Sequence, residues 1–334
     1  MAKLRVAVVG MGGIGNNHAR CYQADGRAEL VAVCDMIEEK AQAAAQRYGC
    51  RAFAGIDDLL GSGVELDAAS VTTAGVENGS HHYAPTMQLL AAGVPVLGEK
   101  PISNDVGQAR EMVACARERQ IPYAVNLNHR FTPAARRARE WLDGGRLGEL
   151  SMVNMTMWIN NPNESSEHFH MRALHPHSID VMRYFAGEVD QVQAFFRKGR
   201  DRSIWSNVQM NVRFENGVIG HLTGSYDAGP GYGLETCELI GSEGRTVIHE
   251  ACEKLVFTPR RAREREEYDY LGGMRSFAET FQSRISAWLD DLERKTPPEQ
   301  VDGSAADALA AQLVIEAAIL SFKEGRVVAP KEVP

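Results

Sequence analysis

The sequence predicts an α/β protein of two domains. Residues 1–126 form a doubly wound parallel sheet, and residues 127–334 an α+β domain with an open-faced, mostly antiparallel sheet. Three observations predict this. Short apolar strands alternate with helical segments up to about residue 126, a pattern that needs a parallel sheet covered on both faces. The first strand runs into the glycine turn Gly10-Met11-Gly12-Gly13-Ile14-Gly15, and the second is closed by an acid, Asp35. Further along, the apolar period shortens to two, as in strands with one buried face.

In the first domain, strands are expected over 4–9, 30–34, 51–54, 68–72, 94–98 and 123–126. Helices fall between them over 14–24, 38–48, 81–92 and 106–119, with a short turn around 57–60. Gly49 and Gly93 stand just past two of these helices, where C-terminal caps belong. Ser103 or Asn104 is placed to cap the start of the last. The second domain opens with a basic helix over 132–142, ending at Gly144-Gly145. Strands follow over 151–159, 189–196, 208–214, 218–226, 236–240, 245–249 and 254–257. Glu215-Asn216-Gly217 reads as a hairpin turn. One helix, about 178–185, interrupts the strands, and helices over 274–294 and 305–324 close the chain around the loop Thr296-Pro297-Pro298.

A chain of 334 residues has core enough for two domains. Its net charge is −8, and its one basic cluster, 260–265, is interrupted by Ala262 and Glu264. No nucleic-acid partner is expected. The six cysteines are scattered without a C-x-x-C pair. They read as reduced, mostly buried thiols of a cytoplasmic protein. The chain enters a strand almost at once, and no apolar run is read as long enough to span a bilayer. Neither a signal peptide nor a membrane partner is therefore expected.

The glycine turn is the G-x-G-x-x-G fingerprint in its required context of strand, turn, helix, strand and acid. Gly10 permits the tight turn, Gly12 the approach of a pyrophosphate, and Gly15 close packing of the helix on the sheet. The helix N-terminus offers N–H groups and a positive dipole end to the phosphates. The first domain thus reads as a Rossmann dinucleotide-binding domain. Asp35 accepts from both ribose hydroxyls or, alternatively, caps the next helix. Met36 and Ile37 follow it, with no Arg or Ser to receive a 2′-phosphate. NAD is therefore expected rather than NADP. A third strand end carries Glu99-Lys100-Pro101. Lys100 is either an acid/base at the nicotinamide end of the crevice or a surface lysine paired with Glu99.

The second domain contains four histidines in ten residues: His168, His170, His175 and His177. The two i,i+2 pairs do not share a helix face. No cysteine lies near, and the nearby carboxylates are Glu164, Glu167 and Asp180. No metal site is expected. Two readings stay open, a substrate-facing segment with one acid/base histidine or a set of partly buried, hydrogen-bonded rings. Trp158, Asn160, Asn161, His170, Arg172 and Tyr232 suit a hydroxyl-rich ligand, and Arg172 equally a carboxylate or phosphate.

Gly10 to Gly15, Asp35, the run from Met87 to Pro101 and Arg130-Phe131-Thr132-Pro133 together resemble the glucose-fructose oxidoreductase/inositol dehydrogenase/MocA family. His177-x-x-Asp180 followed by Gly187 is similar to its substrate-domain helix. Residues 302–328, with Ala317, Ser321 and Gly325-Arg326, look like its last helix. The resemblance covers nearly the whole chain. It implies an NAD-dependent dehydrogenase, a homodimer or homotetramer, that moves a hydride between NAD and a carbinol of a sugar, inositol or related polyol. By position it implies that Lys100 binds the reacting hydroxyl and assists proton transfer, and that His177 is the acid/base. It also implies a cis bond before Pro101. His82, Thr72 and Thr73 fall near the family's cofactor, and Asn161 and Tyr232 near its substrate. The expected cofactor set is thus Gly10, Met11, Gly12, Gly13, Ile14, Gly15, Asp35, Met36, Thr72, Thr73, His82, Glu99 and Lys100. The expected substrate set is Lys100, Trp158, Asn161, Arg172, His175, His177 and Tyr232.

The chain departs from the family pattern at two places. The family's dehydrogenases often carry an Asp four residues before the catalytic His, one turn away on the same face. Here that residue is Ala173, with Arg172 and His175 beside it. The loop 74–80 is longer than usual, and the family's Thr-Pro is Thr73-Ala74. These departures keep two alternatives in play. One is glycoside cleavage by transient oxidation and elimination, and the other a catalytically silent NAD/sugar sensor, which retention of Lys100 and His177 argues against.

Overall fold

The structure is a computed structural model that describes residues 2–74, 79–229, 233–261 and 263–334. It divides into two compact units, Met1–Asn126 with Phe281–Leu309, and Leu127–Thr280 with Ala310–Pro334.

The first unit holds strands β1 (Leu4–Val9), β2 (Ala28–Cys34), β3 (Arg51–Phe53), β4 (Ala68–Val71), β5 (Val96–Gly98) and β6 (Tyr123–Val125). They pair in parallel in the order β3-β2-β1-β4-β5-β6. This is the order whose reversal between β1 and β4 opens a ligand crevice at the strands' carboxyl ends. β4, β5 and β6 are buried at every residue, as expected of strands covered on both faces. The connecting helices are α1 (Gly13–Ala24), α2 (Glu38–Tyr48), α3 (Ile56–Gly61), α4 (Tyr83–Ala91) and α5 (Val106–Glu118). α3 is a helix where the sequence suggested only a turn. α5 is capped by Asp105 rather than Ser103 or Asn104, its carboxylate accepting from Gln108 N at 2.8 Å.

The sequence placed residues 281–309 in the second domain, but they belong to the first unit. The reason is the apolar face of the helix α8 (Thr280–Arg294). Ile285, Trp288 and Leu289 are fully buried against Val6, Tyr22 and Val33. The buried Arg284 guanidinium donates to Val125 O at 3.2 Å and Gly303 O at 3.4 Å.

In the second unit, helix α6 (Pro133–Asp143) precedes β7 (Leu150–Trp158), α7 (Phe169–Ala186) and β8 (Val189–Arg197). The strands β9 (Asn207–Phe214), β10 (Ile219–Ser225), β11 (Glu235–Gly241), β12 (Gly244–His249), β13 (Lys254–Pro259) and β14 (Glu266–Asp269) follow. They form one sheet in the order β14-β13-β12-β11-β7-β10-β9-β8. β7 and β10 run parallel and the other neighbours antiparallel, so the sheet is mixed. The sequence missed β14, whose Glu-Glu-Tyr-Asp has no apolar alternation. α7 is more than twice as long as expected. It absorbs the histidine-rich stretch with Pro176 inside it, and nearly all of its residues are buried.

The last helix, α9 (Ala305–Glu324), corrects the reading that no run could span a bilayer. It is the one helix among the described residues long and apolar enough to do so, and 56% of that window is buried inside the protein. Such burial is what the core helix of a folded domain shows. Its Ser321 hydroxyl lies 3.2 Å from Ala194 N and 2.6 Å from Arg326 O.

Candidate active site

Gly10 has φ +94°, and a Cβ there would lie 2.8 Å from Thr73 N. A Cβ on Gly15 would lie 1.8 Å from Gly10 O, so only glycine lets α1 approach the turn this closely. Gly12 is the N-cap of α1, makes no side-chain cap bond, and has open space where a Cβ would stand. This is the cradle a pyrophosphate needs at a helix N-terminus. Beside it is a cavity of 730 Å³ lined by Gly10, Gly12, Asp35, Met36, Thr72 and Thr73 from the expected set. Asp35 is not the cap of α2, whose N-cap is Ile37. Its Oδ2 accepts from Met11 N at 2.7 Å and its Oδ1 from Ile37 N at 2.8 Å. Met36 is 84% exposed at the cavity, an apolar surface suited to a base ring.

Met11, Gly13, Ile14, Gly15, His82, Glu99 and Lys100 of the expected cofactor set do not line this cavity. The Met11 side chain is buried in the core, leaving only its backbone near the turn. His82 is buried with Nδ1 2.8 Å from Pro101 O. Its neighbours His81 and Tyr83 line the cavity instead. The sequence also missed Lys40 of α2 and Gln108 of α5 there. Glu99 turns into the protein. Its Oε1 meets His18 Nε2 at 3.0 Å and Asn126 Nδ2 at 2.6 Å, and its Oε2 accepts from Lys100 N at 3.2 Å. Burial alone raises the Glu99 carboxyl. The bonds from His18 and Asn126 and the Lys100 charge outweigh it and hold the group below the usual carboxylate range.

The Lys100–Pro101 bond is cis. Lys100 follows β5, at the same carboxyl edge of the sheet as the glycine turn and Asp35. Burial pushes its ammonium below the ordinary lysine value, against the opposing pull of Glu99. A lysine so perturbed exchanges its proton more readily near neutral pH.

In the second unit, His177 on α7 is 5% exposed and stacks on His129, with ring centroids 4.2 Å apart and planes within 13°. His129 Nδ1 lies 2.6 Å from Glu235 Oε2, and Glu235 is 3% exposed. Phe277 packs on the His129 ring in a T-shaped arrangement, with centroids 5.1 Å apart. The sequence reading named neither His129 nor Glu235. They stand 106 residues apart, so no local spacing could pair them. Ala173 lies in an apolar cluster with Phe169, Leu174 and Met157. Asp180 is held by the Arg130 guanidinium, with Nε to Oδ2 at 2.8 Å.

Much of the expected substrate set is not gathered here. His175 is fully buried, with Nδ1 3.0 Å from Ser178 Oγ and Nε2 3.1 Å from His170 Nε2. Burial drives His175 well below the ordinary histidine range and lowers His170 to about 3. Both are neutral core rings. Arg172 is paired with Glu316 through Nε–Oε1 at 2.6 Å and Nη2–Oε2 at 2.8 Å. Trp158 lies on the opposite face of β7 from Met157, the residue that packs with α7, because strand side chains alternate. It lines a cavity with Phe195, Gln209 and Thr223 instead. Asn161 Oδ1 accepts from Asn163 N at 2.9 Å, an Asx turn rather than a ligand contact. Tyr232 lies outside the described residues. Among the described residues no cluster of three or more His, Cys, Asp or Glu is arranged for a metal ion. All six cysteines are free thiols.

The six-stranded order, the glycine cradle and the acid at the end of β2 define an NAD-binding Rossmann domain. Comparison with known proteins makes this more specific. The oxidoreductase family with an NAD-binding Rossmann fold, GFO/IDH/MocA, matches residues 4–127, and the family's C-terminal domain matches residues 135–247. The chain belongs to this family and is an NAD-dependent oxidoreductase. It is 25% identical to the inositol 2-dehydrogenase of Rhizobium meliloti over 97% of this chain and 98% of that one. It is 36% identical to the D-glucoside 3-dehydrogenase of Escherichia coli, over 44% of this chain and 41% of that one. The fold is shared with levoglucosan dehydrogenase in complex with NADH and levoglucosan, at TM-score 0.88 and 20% identity, covering 98% of this chain and 99% of that one.

Proposed function

We propose that the protein oxidises a ring carbinol of a cyclic polyol or sugar, with Lys100 and His177 managing the hydroxyl proton. The observation that carries this reading is Lys100. It stands at the edge of the sheet that forms the dinucleotide cavity, and burial lowers its hold on its proton. The names of two relatives, an inositol 2-dehydrogenase and a D-glucoside 3-dehydrogenase, support the substrate class. The glycine turn, Asp35, Thr72 and Thr73 are the residues that would hold NAD. Bound there, NAD supplies the acceptor for the hydride of the carbinol carbon. Lys100 donates to the reacting oxygen and fixes the alcohol for transfer. His177 takes the hydroxyl proton as general base.

The test is NADH absorbance after mixing the protein with NAD and a panel of inositols, aldoses, sugar acids and glycosides. NADH formed with a cyclic polyol or sugar is the expected result. Aglycone released from a glycoside without net NADH would replace dehydrogenation by transient oxidation and elimination. Tight NAD binding with silence across the whole panel would replace it by sensing.

A further inference from the structure

The residue one turn before His177 on α7, where the resembled family's dehydrogenases often carry an Asp, is the buried Ala173. A base that accepts a proton in a buried site needs compensating negative charge, because burial disfavours its charged form. The structure holds such a charge one ring away. Glu235 accepts from His129, and His129 lies face to face with His177.

We infer that the Glu235–His129 pair is the electrostatic support of His177, reached through the stacked ring rather than along the helix. This rests on His177 being the acid/base of the proposed reaction. The carboxylate of Glu235 accepts, so His129 Nδ1 carries the proton and Nε2 keeps its lone pair. That Nε2 is buried without a hydrogen-bond partner among the described residues, a site where a second, charged N–H would stand unsatisfied. A neutral ring that donates to a carboxylate gains electron density, and the face of such a ring attracts a cation. When the hydroxyl proton moves to His177, the imidazolium forms 4.2 Å from that face. The titratable and charged groups about the pair are His177 on α7, the Arg130–Asp180 ion pair, and the buried thiols of Cys237 and Cys252 near Glu235. His129 and Glu235 are positioning residues, since neither needs to touch the substrate.

The test is histidine nitrogen NMR on the full chain, following the titration of His177 in the wild type and in Glu235→Gln. The glutamine keeps the shape and an acceptor but removes the charge. The expected result is proton binding at His177 weakened about tenfold, a midpoint about one pH unit lower. An unchanged midpoint in a folded Glu235→Gln protein overturns the inference. If that variant does not fold, Glu235→Met removes the same charge and carries the same two outcomes. Turnover of His177→Asn separates this from the proposed function. An undiminished rate there overturns His177 as the base, while the titration still decides the electrostatic link.

Discussion

Asp35 is fixed before any ligand arrives. One oxygen is held by Met11 N–H and the other by Ile37 N–H, and each retains a lone pair for a ribose hydroxyl. Such preorganisation spares the binding step an ordering cost. Asp35→Ala is expected to weaken NAD binding by about tenfold or more, the worth of a charge-assisted hydrogen bond. It should also narrow the preference over NADP, because the repelling charge is gone. Fluorescence titration with NADH and NADPH measures both, and unchanged affinities would remove Asp35 from the ribose site. The place of Asp35 was legible in the sequence because it depends on local order, a strand that ends a fixed distance past a glycine turn. His129 and Glu235 were not legible, because a contact between residues 106 positions apart leaves no trace in spacing. His175 misled for a different reason. A histidine two residues from a candidate base reads as a candidate too, yet His175 is fully buried against Ser178 and His170.

At the scale of elements, α7 is the informative case. Its first half was not read as helix, the expected helix beginning at about 178, and Pro176 and the histidines are weak helix formers. Burial against β7 and β10 outweighs those local preferences. The consequence is a helix with two enclosed neutral rings, His170 and His175. Both proton affinities fall on folding. Below the ordinary histidine value of 6.5 the unfolded chain binds more protons than the folded one. The stability these rings contribute is therefore complete above that pH and is lost as pH falls below it, down toward the folded-state values. Urea midpoints are expected to drop between about pH 6.5 and pH 5, each ring costing up to about 1.4 kcal/mol per pH unit. His170→Gln should flatten this slope, and a flat wild-type profile would contradict the neutral core assignment.

For the molecule as a whole, the alternation of strand and helix made the first sheet readable, and the period-two strands most of the second. The destination of residues 281–309 was not readable. An amphipathic helix advertises an apolar face but not the surface that will cover it, and α8 covers the sheet laid down at the start of the chain. The glycine turn and Lys100 belong to the first unit, and the His129–His177 stack to the second. Lys100 is proposed to act on the reacting hydroxyl. The most direct measurement is single-turnover NADH formation by the wild type and Lys100→Ala, on the polyol or sugar that the panel selects. The rate is predicted to fall about 10²-fold in the variant, as loss of an acid/base group requires, with NADH affinity within about twofold. A variant that forms NADH at the wild-type rate would contradict it.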